Sequence, residues 1–243
     1  MQPLKVTFTM AAPVAVGPHL VHLDGLLGYA VVEQEYDNAE GGDELTQSSL
    51  DAAVGKLPLE QEAHPNSPDW RVWKASYLIP DSQSPETRSH LFQTQSVNEP
   101  LLVGLFDSGA VLNRKAVIDT ARGLLKSSTW TVTTELYRRF TAYCVGDADE
   151  IRHLLTNYID AIGPRRRGGH GRIERIRPPG SAYWDERPAI EVEPYAPAAD
   201  LWKLRNMPWP LDGYAPIQGR AELPYYKKTL DVVYRPGDDL LWS

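Results

Sequence analysis

A chain of 243 residues with 42% apolar side chains has enough hydrophobic surface for one large domain or two small ones, which excludes a disordered or fibrous protein. The formal net charge of -7 excludes a body that is basic throughout, yet charge is segregated: residues 33–69 carry ten acidic side chains against Lys56, and residues 163–177 carry six arginines against Glu174. The single Cys144 excludes an intramolecular disulfide framework and a thiolate-built metal site, and no leader-like or membrane-length apolar run (roughly 18 residues) is evident, so a soluble protein of a reducing cytoplasm is expected.

Leu4, Val6, Phe8 and Met10 alternate with Lys5, Thr7 and Thr9, the period of a half-buried opening strand. Beyond the turn region Pro13–Pro18, Leu23, Leu26, Leu27, Ala30 and Val31 follow helical spacing, with Asp24 as the expected N-cap. Gly25 and Gly28 inside this helix each cost about 1 kcal/mol relative to alanine, which points to close packing or a ligand's approach. Residues 34–69 read as an acidic excursion with a short helix near Gln47–Val54. Trp70–Ile79 predicts a second strand ending at Pro80, and residues 81–128 an insertion or arm whose cations include Arg88, Arg114, Lys115, Arg122 and Lys126. Leu136–Val145 predicts a third strand stopped by Gly146, on which Arg138 and Arg139 would point to opposite faces.

Asp147 and Glu150 then form a capping pattern ahead of the continuous apolar stripe Ile151, Leu154, Leu155, Tyr158, Ile159 and Ile162. Gly163 takes the place of a left-handed residue after a helix end, and Pro164 bars continuation. Gly171–Arg177 resumes as a strand through Ile173 and Ile176. This order predicts an α+β, ferredoxin-like βαββαβ domain over residues 1–177, with a long insertion between strands two and three. Ten prolines from Pro178 onward, among aromatics such as Trp184, Trp202 and Trp209, predict an extended C-terminal extension over 178–243.

Between the second helix and the last predicted strand runs Gly163-Pro-Arg-Arg-Arg-Gly-Gly-His-Gly-Arg172. Glycines let backbone N–H groups approach a ligand, successive N–H groups in such turns cradle anions, and arginines fork onto phosphate oxygens. A P-loop is excluded, because that motif follows a strand, precedes a helix and needs Gly-Lys-Ser/Thr. A merely solvated basic loop is the plain alternative. Helix capping would account for Gly163 alone and leaves Gly168, Gly169 and Gly171, which bracket His170, without a purpose. A polyphosphate or a nucleic-acid backbone is the natural guest, with expected contacts from Arg165, Arg166, Arg167 and Arg172, from backbone groups of Gly163, Gly168, Gly169 and Gly171, and, if the guest is RNA, from His170 stacking on or bonding to an unpaired base.

The glycine-rich basic loop, together with Leu4–Val16, His22-Leu-Asp-Gly-Leu-Leu-Gly-Tyr-Ala30 and Tyr143-Cys-Val-Gly-Asp-Ala-Asp-Glu150, resembles the RAMP superfamily of CRISPR RNA-binding proteins, and within it the type IV subunit of the Cas-five class. The resemblance implies a subunit that grips the 5′ handle of the crRNA. It implies as partners the backbone subunits of the Cas-seven class, the large subunit and target DNA near the PAM, in a prokaryotic cytoplasm with no membrane and no cofactor. It also assigns the 81–128 arm, with Arg114, Lys115, Arg122 and Lys126, to RNA. The competing expectation is a metal-independent crRNA endoribonuclease using His22 or His19, since related RAMP nucleases place a general base between the first strand and helix. The plain reading has His22 capping or packing at the helix start. The His19-x-x-His22 pair lacks the further ligands a metal requires.

Overall fold

The computed structural model describes residues 1–15, 21–39, 46–64, 67–95, 128–164, 166–177, 186–220 and 231–241. In chain order its elements are β1 (Gln2–Thr9), β2 (Val14–Ala15), α1 (Leu23–Asn38), α2 (Gln47–Val54), β3 (Gln61–His64), β4 (Ser67–Trp73), β5 (Ile79–Pro80), β6 (Thr87–Gln95), β7 (Ser128–Leu136), β8 (Arg139–Gly146) and α3 (Ala148–Tyr158). There follow β9 (Arg175–Ile176), β10 (Arg187–Pro188), β11 (Ile190–Pro194), α4 (Ala198–Leu201), β12 (Tyr214–Gly219), β13 (Asp231–Pro236) and α5 (Asp238–Leu241). The chain is thus a mixed α+β protein. It divides into two compact units, residues 1–87 with 135–243, and residues 88–134. In the second, β6 and β7 are sheet neighbours and His90 Nδ1 lies 3.1 Å from Thr133 Oγ1.

The first unit is organised by a four-stranded sheet of order β11-β1-β8-β5, every neighbour antiparallel. The alternation of β1 sends Leu4, Val6 and Phe8 to one face, where they meet Ala142 and Cys144 of β8, Val192 of β11, and the apolar stripes of α1 and α3 in a single core. Burial there pushes the Cys144 thiol up from 9.0 to about 12. On the opposite face α4 lies against β8 and β1, and Trp202, Met207 and Trp209 pack with Val72 and Val145 as a second, smaller core. Trp202 and Trp209 are therefore core residues, and the segment that carries them is anchored by Tyr77, whose hydroxyl donates to Asn206 Oδ1.

Helix α3 starts as the capping pattern predicts, with the Asp147 carboxylate accepting from the Asp149 and Glu150 N–H groups at 3.0 and 3.1 Å. It ends sooner than its apolar stripe. Ile159 is already extended (φ -117, ψ 101), so Ile159 and Ile162 reach the core from a strand-like segment, and Gly163 is not the helix cap. Helix α2 falls on the predicted Gln47–Val54, whereas α1 runs well into the expected excursion, to Asn38. Asp24 is not the N-cap of α1. His22 takes that position with an extended backbone (φ -91, ψ 142), and Asp24 lies in the first turn, fully buried against Arg205.

Three strand expectations also change. Trp70–Ile79 is not one strand: β4 pairs with β3 as a hairpin, after which the chain crosses to β8 through the Ala75–Cys144 bridge, and β5 continues that pairing. Leu136–Val145 is interrupted at 137–138, where exposed Arg138 and Arg139 meet Glu86 at 3.4 Å and Asp81 at 3.7 Å. The fourth strand of the sheet is β11, inside the segment expected as an extension. Residues 171–177 supply only β9, paired with β10. Ile190 and Val192 alternate with Glu191 and Glu193 and so offer β1 an amphipathic edge, while Arg175 and Arg177 are exposed.

Candidate nucleic-acid interface

The arginine-glycine loop leaves the sheet through a clamped neck. Ala161 and Arg172 form an antiparallel bridge, Ile162 N–H donates to the Gly171 carbonyl at 2.8 Å, and Ile173 N–H donates to the Asp160 carbonyl at 2.9 Å. The N-terminal segment ties in from the side: Gly171 N–H donates to the Pro13 carbonyl, and the Ala11 and Ala12 N–H groups donate to the Arg172 carbonyl. Ile162 and Ile173, at opposite sides of this neck, are buried in the main core. The loop is thus rigidly rooted even though its tip is exposed.

Glycine is required at two places for different reasons. Gly171 has φ +68, and a Cβ there would drive into the Ile162 carbonyl oxygen, so the neck closes only without a side chain. Gly169 has φ +83 with open space around the missing Cβ, so only its backbone conformation demands glycine. It follows a turn of 3-10 helix at Arg166–Gly168 and donates to the Arg166 carbonyl at 2.9 Å. A helical turn followed by a left-handed residue is the geometry that gathers backbone N–H groups into an anion-binding nest.

Arg166 holds its guanidinium over the Tyr29 ring, 4.1 Å from the centroid. Beneath it opens a cleft of about 480 Å3. Helix α1 supplies Tyr29 and Glu33, the end of α3 supplies Tyr158 with Asp160 and Ala161 after it, and the loop supplies Arg166, Gly169, His170 and Arg172. The neighbouring arginines are divided by their partners. Arg175 donates to Asp160 at 2.8 Å and to the Glu186 carbonyl, and Arg177 sits 3.7 Å from Glu186, whereas Arg166 and Arg172 have no carboxylate partner among the described residues. The two arginines at the cleft therefore keep their positive charge for a guest.

Of the residues expected to contact RNA, the structure brings Arg166, Gly169, His170 and Arg172 to one cleft, with Gly168 and Gly171 beside it. Gly163, with φ +78, lies against Val14 at the base of the loop. His170 is nine-tenths buried, which removes the open ring face that base stacking needs. Arg165, Arg114, Lys115, Arg122, Lys126 and His19 lie outside the described residues, as does the side chain of Arg167. The sequence reading missed Tyr29 and Glu33 as cleft walls. Their spacing of four on α1 puts them on one helix face, and that was the available signal.

His22, the candidate general base, is buried in a different network. Its ring meets Tyr77 edge-on at 4.7 Å, and its Nδ1 lies 3.9 Å from Asp24 Oδ1. Asp24 Oδ2 accepts from Arg205 Nη1 at 3.0 Å, and Arg205 also donates to the Ala75, Trp73 and Asn206 carbonyls. Desolvation pushes the Tyr77 phenol well above its ordinary range. This arrangement holds the start of α1 to the C-terminal segment, and His22 is packed within it.

No curated protein matches the chain. A family model does, over residues 2–234, a span that takes in the four-stranded sheet, the α1–α3 pair and the whole arginine-glycine loop. The family is described as CRISPR type IV associated protein Csf3, the Cas5-like subunit of those systems, and the chain belongs to it.

Proposed function

We propose that this chain is a non-catalytic RNA-binding subunit of a type IV CRISPR effector complex, which holds the 5′ handle of the crRNA and seats the backbone subunits of the Cas-seven class beside the large subunit in the prokaryotic cytoplasm. The observation that carries this reading is the cleft at the rooted loop, where Arg166 over Tyr29 and Arg172, which has no carboxylate partner among the described residues, flank a turn closed by left-handed Gly169. Phosphates there would meet two arginines and backbone N–H groups, contacts that position a strand without reading its sequence. The sheet order supports a ferredoxin-like RAMP fold: in motif terms β11-β1-β8-β5 is strands four, one, three and two, with α1 and α3 sharing a core on one face. No helix among the described residues is long and apolar enough to cross a membrane.

The test is crRNA retention by the co-expressed complex carrying Arg166→Ala and Arg172→Ala together. Retention is expected to fall, and the slope of log affinity against log salt to decrease by about 1.4, since each phosphate contact to a single strand contributes about 0.7. Unchanged retention and slope reject the loop as the grip. The absence of chemistry is tested separately with labelled repeat RNA in EDTA, where a discrete cut abolished by His22→Ala would overturn the non-catalytic assignment. The burial of His22 against Tyr77 and beside Asp24 favours no cut.

A further inference from the structure

The cleft under Arg166 is larger and chemically less uniform than a phosphate seat. At about 480 Å3 it falls within the range of pockets that take small organic molecules. Glu33 stands in its wall one helical turn beyond Tyr29, half-buried, with no ion pair or hydrogen bond among the described residues. His170 stands in the same wall, nine-tenths buried, and its ring nitrogens likewise have no partner among the described residues. Neither group is sealed from the cleft's solvent, so a guest that displaces water there must replace its hydrogen bonds. Phosphate cannot be that guest at Glu33, because a carboxylate repels it. Arg166 and Arg172 can neutralise a phosphate at the rim, while the part of the ligand that reaches Glu33 must carry no negative charge and must donate hydrogen bonds.

Resting on the RNA-binding reading above, we propose that this cleft seats one unpaired guanine base of the bound RNA and that Glu33 is the residue that selects it. An ionised carboxylate is acceptor-only and offers two oxygens side by side. Among the four RNA bases only guanine presents two adjacent donors on its Watson–Crick edge, the N1–H and the 2-amino group. Adenine and cytosine present one amino group beside a ring acceptor, and uracil one N–H between two carbonyls. A ring N–H of His170 matches the acceptors that remain on guanine, O6 and N7. The Arg166 guanidinium, held over Tyr29, supplies the planar surface on which an unstacked base rests.

The experiment is fluorescence-anisotropy titration of the full chain with four labelled single-stranded oligouridines that carry G, A, C or U at one central position. The guanine oligomer is expected to bind about tenfold more tightly than the uridine one, the order of a single bidentate base contact. In Glu33→Gln, whose amide group turns a donor toward the base, the four oligomers are expected to bind alike, while Arg166→Ala weakens all four together. Equal binding of the four by the wild-type chain, or a guanine preference that survives Glu33→Gln, overturns the base pocket and leaves the phosphate grip standing. Displacement by free guanosine monophosphate as effectively as by an unlabelled guanine oligomer overturns it in favour of a nucleotide site. Binding of none of the oligomers sinks the RNA-binding reading and the pocket with it.

Discussion

Helix α1 meets an arginine at each of two sites. At its start Asp24 faces Arg205 at 3.0 Å with both side chains fully buried, and about one and a half turns later Tyr29 faces Arg166 at 4.1 Å beside an open cleft. In the first site Nε and Nη1 of the arginine donate to a carboxylate and three backbone carbonyls, so the side chain is committed to holding the C-terminal segment in place. In the second the arginine rests on a ring that carries no formal charge, which orients the cation without neutralising it. Full burial makes one arginine a structural part, and half-burial beside an open cleft leaves the other for a ligand.

The largest expected effect breaks the buried side of this contrast. Arg205→Ala leaves Asp24 as an uncompensated buried charge and should cost about 3–5 kcal/mol in urea denaturation. Arg166→Ala should cost under about 1 kcal/mol, the scale of an exposed cation–π contact. Equal losses in the two variants would erase the distinction. The loop glycines sharpen it next. Gly169→Ala is expected to cost about 1–2 kcal/mol for the left-handed backbone alone. Gly171→Ala should cost more, because its new Cβ also collides with the Ile162 carbonyl, and should loosen the neck that roots the loop. Matching losses at the two positions would show that the neck yields easily.

The smallest effect reports on burial through pH. Because the Cys144 thiol is pushed up from 9.0 to about 12 by desolvation, the folded chain keeps a proton that the unfolded chain releases. Its contribution to stability is fully present below pH 9 and declines as pH rises toward 12. The stability gap between the wild type and Cys144→Ala should therefore narrow between pH 8 and about 10.5, and a thiol reagent should label the native chain far more slowly than the urea-unfolded one. A gap that stays constant with pH would place the thiol in contact with solvent.

What could be read from the residues alone follows the range of the interactions involved. The start of α3 was legible because Asp147 and the N–H groups it caps lie within three residues, and β1 was legible because its alternation is written in eight. The fourth strand was not. Ile190–Pro194 looks like any short stretch in a proline-rich region until β1, far away in sequence, is known to need an edge partner. Arg205 likewise reads as one more surface cation, since its acid lies 181 residues earlier. The arginine-glycine loop was conspicuous by composition and its backbone needs were foreseeable. Tyr29 and Glu33 were hidden, because which face of α1 meets the loop is decided by packing and not by periodicity.

The pairing of β1 has a consequence for synthesis on the ribosome. One edge of this strand waits for residues 139–146 and the other for residues 190–194, so the first strand to emerge is among the last to be enclosed. At about 5–20 residues per second the interval is roughly 10–35 s. For that time Leu4, Val6 and Phe8 form a nascent strand with bare edges, open to association with other chains. The loop's neck meets no such delay, because its lateral partners Ala11, Ala12 and Pro13 are already synthesised when residues 171–172 emerge. A chain stopped at residue 177 would carry every arginine of the loop and still lack the strand that closes the sheet beneath it.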